Sequence, residues 1–372
     1  MTIAFLTNHF PPRIDGVGDY TAYLAAALVQ RGLVVHVICR KQEAIVAPKG
    51  VTVHAVAADW GAKSKATVLD TIRKIQPDWV LLQYVPYGFQ HFGLPFFLPD
   101  FLRQIRRNGT RVGVVFHEVH IRPQGVKGWI IGQLQRHIAR RMCRHADVVA
   151  TSIAFYRQLL APFRTDVRVI PVGANIEVEP LAEAERQRLR QQIFPDQSCI
   201  VSTFGRRDIS RLVAAAGMMD DVGVLAIGAG GETFQVSKTW KVYCTGHLPP
   251  VEVGAWLQSS DVFVLPDFVS LHGEGGTCLK SGSLAAAFAA GLPVIGVRGD
   301  MTGLPLRHGE NIWLVERGDA ESLFKAIRMV QSDPVLRERL RTNGAILYRE
   351  HLAWEVLAEA YGKLFFEHEI TA

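Results

Sequence analysis

The residues of this chain best suited to chemistry are basic groups set among glycines. Gly205-Arg206-Arg207 closes an apolar run, and Lys280-Ser281-Gly282-Ser283 opens an Ala-rich one. A guanidinium binds a diphosphate through paired N–H groups, and an ammonium beside a helix N-terminus adds charge where unpaired backbone N–H groups already point. Upstream of Lys280, Gly273, Gly275 and Gly276 let backbone N–H groups approach a ligand with no Cβ in the way, and Glu274, Thr277 and Cys278 lie among them. In the first half of the chain Gly16 and Gly18, within Asp15-Gly16-Val17-Gly18, suit either a phosphate or sugar contact or a plain helix-start loop. His117 follows a β-branched run and heads His117-Glu118-Val119-His120. That run is not an HExxH pair, an extended segment turns its two histidines to opposite faces, and no third ligand is evident, so no metal centre is expected.

Alternating strands and helices must position these groups. Ile3–Leu6, Val34–Cys39, Trp79–Gln83, Val112–Phe116, Asp147–Thr151 and Val167–Pro171 read as strands from their apolar, β-branched runs. A second series follows at Ile200–Phe204, Val222–Ile227, Val242–Thr245, Val262–Leu265 and Val294–Val297. A helix is expected from near Asp19, with Tyr20, Tyr23, Leu24, Ala27 and Leu28 at helical spacing and Gly32 after its end, and another from near Ser281. Strands separated by helical patterns imply an α/β fold with parallel sheets covered on both faces, here two domains whose strand ends face a cleft. The turn at Val172–Asn175 sets the boundaries at 1–175 and 176–351, and EPLAEAERQRLRQQI reads as a polar connector helix. Gly205 to Arg207 and His117 all fall at carboxyl ends of strands, the ligand-binding end of such sheets.

Composition narrows the class. The 372 residues are 48% hydrophobic, enough for two cores, yet no apolar run reaches the ~18 residues of a spanning helix. The start, MTIAFLTNHFPP, lacks the features of a signal peptide, so a cytoplasmic protein is expected. Cys39, Cys143, Cys199, Cys244 and Cys278 show no CxxC spacing and are read as reduced thiols. The net charge of +6 is uneven: residues 1–190 hold 25 Lys and Arg against 14 Asp and Glu, and the remainder 16 against 21. Arginines cluster at 103–107 and 136–145, which suits a solvated helix face or docking on an anionic substrate or on anionic lipid at the inner membrane face. Phe96, Phe97, Leu98 and Phe101, beside the first cluster, fit either a helix core face or an interfacial surface for a lipid-linked acceptor. Neither cluster sits in a nucleic-acid-binding pattern, so nucleic acid is not expected.

The order of these blocks resembles the retaining glycosyltransferases of family 4, with their two-Rossmann-domain GT-B fold. NHFPPRIDGVGDYTAYLAAALVQRG, VVFHEVH, ADVVATS and VRVIPVGAN resemble successive blocks of the first domain. FGRR, VLAIGAG, YCTGHLPPVEVGAWLQSSDVFVLPD, AAAFAAGLPVIG and GENIWLVERGDAESLFKAI resemble those of the second. The resemblance implies transfer of a sugar from a UDP-, GDP- or dTDP-sugar, with nucleotide on the second domain and a glycan, lipid-linked or small-molecule acceptor on the first. It implies no cofactor, no protein nucleophile, and a leaving diphosphate that helps deprotonate the acceptor. Arg206, Lys280 and the Ser281 helix start would neutralise that diphosphate, with Gly205, Arg207 and Arg211 beside them, and His117 matches the family histidine close to sugar and acceptor. It also implies that the final helix, from about 352 to 372 with Trp354, Leu357, Tyr361 and Phe365 as its apolar stripe, returns to the first domain.

Two departures stand out. The family usually carries a pair of glutamates before its G-L-P element, and counted back from Gly291 those positions are Cys278 and Ala286, with Glu274 upstream as a substitute for one. After Arg206 no lysine follows in RRDISRLV, leaving Arg207, Arg211 or Lys280 to complete the usual pair. Absence of an Asp-x-Asp element fits metal-independent transfer. The missing glutamates also motivate a catalytically silent nucleotide- or glycan-binding partner of another transferase, and the fold class admits a nucleotide-sugar epimerase. A phosphorylase is not favoured, since no cofactor lysine motif is seen.

Overall fold

The computed structural model describes residues 1–121, 125–228 and 241–371, so Ala229 and Gly230 of the VLAIGAG run lie outside the described residues. The chain divides into two compact units, Met1–Pro171 with Trp354–Ala372, and Val172–Ala353.

The first unit runs β1 (Thr2–Leu6), α1 (Gly16–Gln30), β2 (Val34–Arg40), β3 (Val51–Ala57), α2 (Ala62–Ile75), β4 (Trp79–Tyr84), α3 (Leu98–Arg107), β5 (Arg111–Phe116), α4 (Gly125–His145), β6 (Val148–Thr151), α5 (Ala154–Leu160) and β7 (Arg168–Val169). Its sheet is parallel in the order β3-β2-β1-β4-β5-β6-β7. Every residue of β4 is buried, as its apolar run WVLL suggests for a strand covered on both faces, and Gln83 is the polar exception near its end. Register pairs Leu6 with Leu82, Tyr84 with Phe116 and Phe116 with Thr151, so the chain leaves β1, β4, β5 and β6 along one edge.

Three expectations shift here. The first helix begins at Gly16, not near Asp19, because the Asp15 side chain accepts from the Val17 and Gly18 N–H groups and caps it. The strand expected over Val167–Pro171 is only Arg168–Val169, an exposed edge pair. Leu98 and Phe101 are core residues, whereas Phe96 is 45% exposed.

The second unit runs α6 (Glu183–Ile193), β8 (Cys199–Phe204), α7 (Ser210–Ala216), β9 (Val222–Ile227), β10 (Val242–Cys244), α8 (Pro250–Gln258), β11 (Val262–Val264), α9 (Gly282–Ala289), β12 (Val294–Val297), β13 (Trp313–Val315), α10 (Ala320–Ser332) and α11 (Pro334–Leu347). Its parallel sheet has the order β10-β9-β8-β11-β12-β13, covered by a core that includes Val201, Leu212, Val224, Val264, Ile295 and Ile327. The expected connector helix is α6, and it belongs to this unit. Leu189 is its one buried side chain, and Arg190 fastens it to the Asp261 carboxylate (2.9 Å) and the Ser259 carbonyl (3.0 Å).

A π-helical turn at Tyr348–Leu352 precedes α12 (Trp354–Thr371), so the last helix begins at the first residue of its apolar stripe and slightly later than the expected start at about 352. This helix packs within the first unit: Tyr361 and Phe365 are fully buried, and the Phe365 ring lies 5.3 Å from that of Trp79. No described helix is long and apolar enough to cross a membrane. Removing a buried phenyl loses its transfer free energy and leaves a cavity. Phe365→Ala should therefore destabilise the first unit by about 3–5 kcal/mol, read as a lower urea midpoint in Trp fluorescence; an unchanged midpoint would show that α12 is not part of that core.

Candidate functional site

In the second unit the structure brings the two basic stretches together. Gly205 turns the chain out of β8 with φ at +95°, and a Cβ built there would come within 3.3 Å of the Ser283 hydroxyl. Two residues on, Arg207 donates through Nη2 to the Ser281 hydroxyl (3.0 Å) and through Nη1 to the Asp267 carboxylate. Ser281 is the N-cap of α9, its oxygen accepting from the Leu284 N–H at 3.2 Å. Arg206 is exposed and forms no ion pair or hydrogen bond among the described residues. Lys280 is half-buried at the start of the same turn. Arg211 is exposed, its guanidinium 5.9 Å from the centre of the Phe268 ring.

The glycine loop is built differently from the row of open N–H donors that its sequence suggests. Gly273 N–H bonds the Ser270 carbonyl (2.9 Å), Gly275 N–H the Asp300 carboxylate (2.9 Å), Gly276 N–H the Phe268 carbonyl (3.2 Å) and Thr277 N–H the Val297 carbonyl (2.8 Å). Gly276 is required for another reason: its φ is +89°, and a Cβ would lie 2.5 Å from the Gly299 nitrogen. Thr277 is fully buried, with its hydroxyl on Asp267 (2.8 Å), and Glu274 is exposed with a carboxylate oxygen 3.2 Å from the Ser270 hydroxyl. Among the described residues the N–H groups of Gly282 and Ser283, which open α9 where no preceding turn supplies a carbonyl, stay available as donors. At the family's two glutamate positions, Cys278 is buried and Ala286 is fully buried. Burial pushes the Cys278 thiol up, against the pull of the Lys280 N–H and ammonium.

In the first unit His117 leaves the carboxyl end of β5, buried, with Nε2 2.8 Å from the Gln83 Oε1 at the end of β4. Tyr20 of α1 meets its ring edge-on at 4.9 Å. Along the same strand ends lie buried side-chain atoms without hydrogen-bond partners: His9 Nδ1, Gln83 Nε2, Tyr84 OH and Ser152 Oγ. Unmet polar atoms concentrated there are what a polar ligand would satisfy. Gly16 is exposed at the first position of α1, while the Gly18 N–H is taken by Asp15 (2.7 Å) and its Cα sits where a Cβ would meet the His9 carbonyl at 2.8 Å. Neither Gln83, Tyr20 nor Asp267 was expected from the sequence. Among the described residues no group of three or more His, Cys, Asp or Glu is placed to hold a metal ion.

Comparison with known proteins defines the class. A model of the Glycosyltransferase Family 4 domain matches residues 14–178, and one for Glycosyl transferases group 1 matches residues 206–333. The chain therefore belongs to the family 4-like glycosyltransferases of the GT-B fold. Among individual relatives, it is 25% identical over 215 residues to the lipopolysaccharide core biosynthesis glycosyltransferase LpsD of Rhizobium meliloti, covering 53% of this chain and 60% of that protein. The amylovoran biosynthesis glycosyltransferase AmsK of Erwinia amylovora is 29% identical over 136 residues, 33% of this chain and 31% of its own length. The chain thus spans less than two thirds of the curated relatives it matches. Sucrose-phosphate synthase from Thermosynechococcus elongatus shares the fold over the whole of both chains, with a TM-score of 0.74 at 18% identity. Anabaena HepE, in complex with UDP-glucose, does so with a TM-score of 0.73 at 14% identity.

Asp19, in the first turn of α1, has its carboxyl pushed up to about 6, by burial first and by the Asp15 charge second. Between about pH 4 and pH 6 the folded chain thus holds more protons than the unfolded one, and this residue's contribution to stability falls as pH rises through that window. Asp19→Asn removes the loss. It should be more stable than the parent at pH 7 by about 1–2 kcal/mol, less than the full linkage value because the group is partly exposed. The difference should vanish near pH 4 in urea titrations; an equal difference at both pH values would exclude titration of Asp19 as its source.

Proposed function

We propose that the chain is a retaining, metal-independent glycosyltransferase, moving a hexosyl or related sugar from a nucleotide-diphosphate-sugar to a glycan, lipid-linked or small-molecule acceptor in polysaccharide biosynthesis. The observation that carries this reading is that the Gly205-Arg206-Arg207 turn after β8 is tied through Arg207 to Ser281, the cap of α9 that follows Lys280 in sequence. Anions bind at such helix starts, and negative charge grows on a diphosphate as it departs. Support comes from the biosynthetic glycosyltransferases to which the chain is similar and from HepE, a structural neighbour solved with UDP-glucose.

The departing diphosphate would be stabilised by Arg206 and Lys280 together with the Gly282 and Ser283 N–H groups. Arg207 would act on it only in part, since Asp267 already balances its charge. The first unit would hold the acceptor, with His117 touching sugar or acceptor hydroxyl. The oxygen nucleophile would form the new glycosidic bond on the face from which the diphosphate leaves, passing its proton to that diphosphate. No resident cofactor enters. With Cys278 and Ala286 buried at the glutamate positions, ribose and sugar would be held by backbone and neutral side chains. That same loss of carboxylates favours a second reading, a nucleotide-binding partner that does no chemistry.

Nucleotide release from UDP-, GDP- and dTDP-sugars separates the two. Turnover should be seen with at least one of them, and Arg206→Ala and Lys280→Ala should each lower kcat by about 10²-fold with little change in melting temperature. Nucleotide binding without any turnover would support the silent partner, and near-normal rates in both variants would remove them from the diphosphate site.

For localisation we propose a cytoplasmic protein that contacts anionic membrane through the first unit. Tyr87, Phe92, Phe96, Trp129 and Ile130 are exposed there, and Arg103, Arg107 and Lys127 accompany them. Arg106 is already held by the buried Asp147 (2.7 Å). Arg103 is bridged to the half-exposed Asp100 (3.0 Å), a pair that solvent screens. Changing Arg103 and Arg107 together to Gln should weaken sedimentation with phosphatidylglycerol vesicles by about tenfold at low salt; equal sedimentation would exclude these arginines from the contact.

A further inference from the structure

The ring of His117 is held from two directions. Gln83, 1% exposed, places Oε1 2.8 Å from its Nε2, and Tyr20 packs edge-on against it at an interplanar angle of 77°. Tyr20 is fixed in turn by a 2.8 Å bond between its hydroxyl and that of Tyr361 and by the Trp354 ring 5.4 Å away. An amide oxygen only accepts, so the bond to Gln83 requires the proton on His117 Nε2. The neutral imidazole is then the Nε2–H tautomer, and Nδ1 is its accepting atom. The other end of the same amide, Gln83 Nε2, is buried and has no hydrogen-bond partner. A side chain kept only to fill space would not bury an unmet amide nitrogen when leucine has a similar volume.

We propose that Gln83 is a positioning residue for transfer, holding His117 as the Nε2–H tautomer so that Nδ1 is the ring atom that accepts from a substrate hydroxyl. The inference rests on the reading of His117 as a group that touches sugar or acceptor. It adds a requirement that reading does not contain, since His117 could serve by bulk alone with either nitrogen protonated.

Long-range proton–nitrogen correlation spectra of the uniformly ¹⁵N-labelled full chain test it without any substrate. His117 signals are identified by their loss in His117→Ala. The parent should show the Nε2–H pattern, Gln83→Leu a mixture of tautomers, and Gln83→Glu, which keeps an accepting oxygen, the parent pattern with a raised His117 pKa. Nucleotide release from the UDP-, GDP- or dTDP-sugar that the parent turns over should fall at least about tenfold in kcat for Gln83→Leu, with KM within about twofold. Gln83→Glu should recover most of that rate and move the acid limb of the pH profile upward. An Nδ1–H pattern in the parent, or an unchanged pattern in Gln83→Leu, overturns the proposal. If His117→Ala turns over normally, the reading of the site fails and takes this role with it. Slow turnover in His117→Ala, with parent-like rate and tautomer in Gln83→Leu, defeats the role of Gln83 alone.

Discussion

The second unit depends on where one carboxylate is placed. Asp267, just beyond β11, gives one oxygen to Arg207 and the other to the Thr277 hydroxyl, and that hydroxyl also receives the Val297 N–H of β12 at 3.0 Å. The exits of β8, β11 and β12 are thereby joined through three side chains. Arg207 also donates to Ser281, which caps α9, so the turn after β8 cannot leave the start of the helix without breaking that hydrogen bond, nor leave the β11 exit without breaking a partly buried ion pair. Such a pair is costly to leave half-made, because the surviving charge would be desolvated and alone. The consequence for ligands is a division of labour between two adjacent arginines. Arg207 is balanced by Asp267 and serves the architecture, while Arg206, one residue earlier and exposed, keeps its full charge for solvent or an anion.

The same logic bears on the absent glutamates. A carboxylate near the first turn of α9 would oppose an incoming diphosphate and favour hydroxyls. With a buried neutral thiol at Cys278 and a methyl at Ala286, the helix start keeps its positive end uncompensated. On the proposed reading, electrostatics there would be centred on phosphate, and discrimination among bases and sugars would fall to shape and backbone contacts. That arrangement suits strong holding of a leaving group better than fine reading of the donor sugar.

How much of this was legible in the sequence depends on the range of the interaction concerned. Strands buried on both faces, such as β4 and β8, announce themselves by the apolar runs WVLL and CIV at their starts, and the parallel α/β class follows from such runs. The edge strand β3 (VTVHAVA) is less legible because only its first and last residues are buried, and β13 because it is only three residues long. The basic groups at strand ends were visible, since position after a strand is local information. Their partners were not. Asp267 lies 60 residues from Arg207, and Gln83 lies 34 from His117, distances at which no periodicity links one residue type to another. The glycine loop misled for a related reason. Glycine composition shows that the chain turns tightly, but the carbonyls and the Asp300 carboxylate that take up its N–H groups are set by the fold.

In the first unit the long-range element is the end of the chain. Tyr20 and Tyr361 share a hydrogen bond across 341 residues, and Tyr20 is the side chain that braces His117. All of the second unit is inserted between them in sequence. The cost of closing so long a loop grows only logarithmically with its length, so this connection is thermodynamically acceptable. Its kinetic consequence is larger, because contacts of high sequence separation form late. All seven strands of the sheet lie within residues 1–171, whereas Tyr361 and Phe365, both fully buried, come to the first unit from the last helix. The bracing of the histidine is therefore complete only once the C-terminal helix has docked, which ties the geometry of the first unit's site to translation of the entire chain.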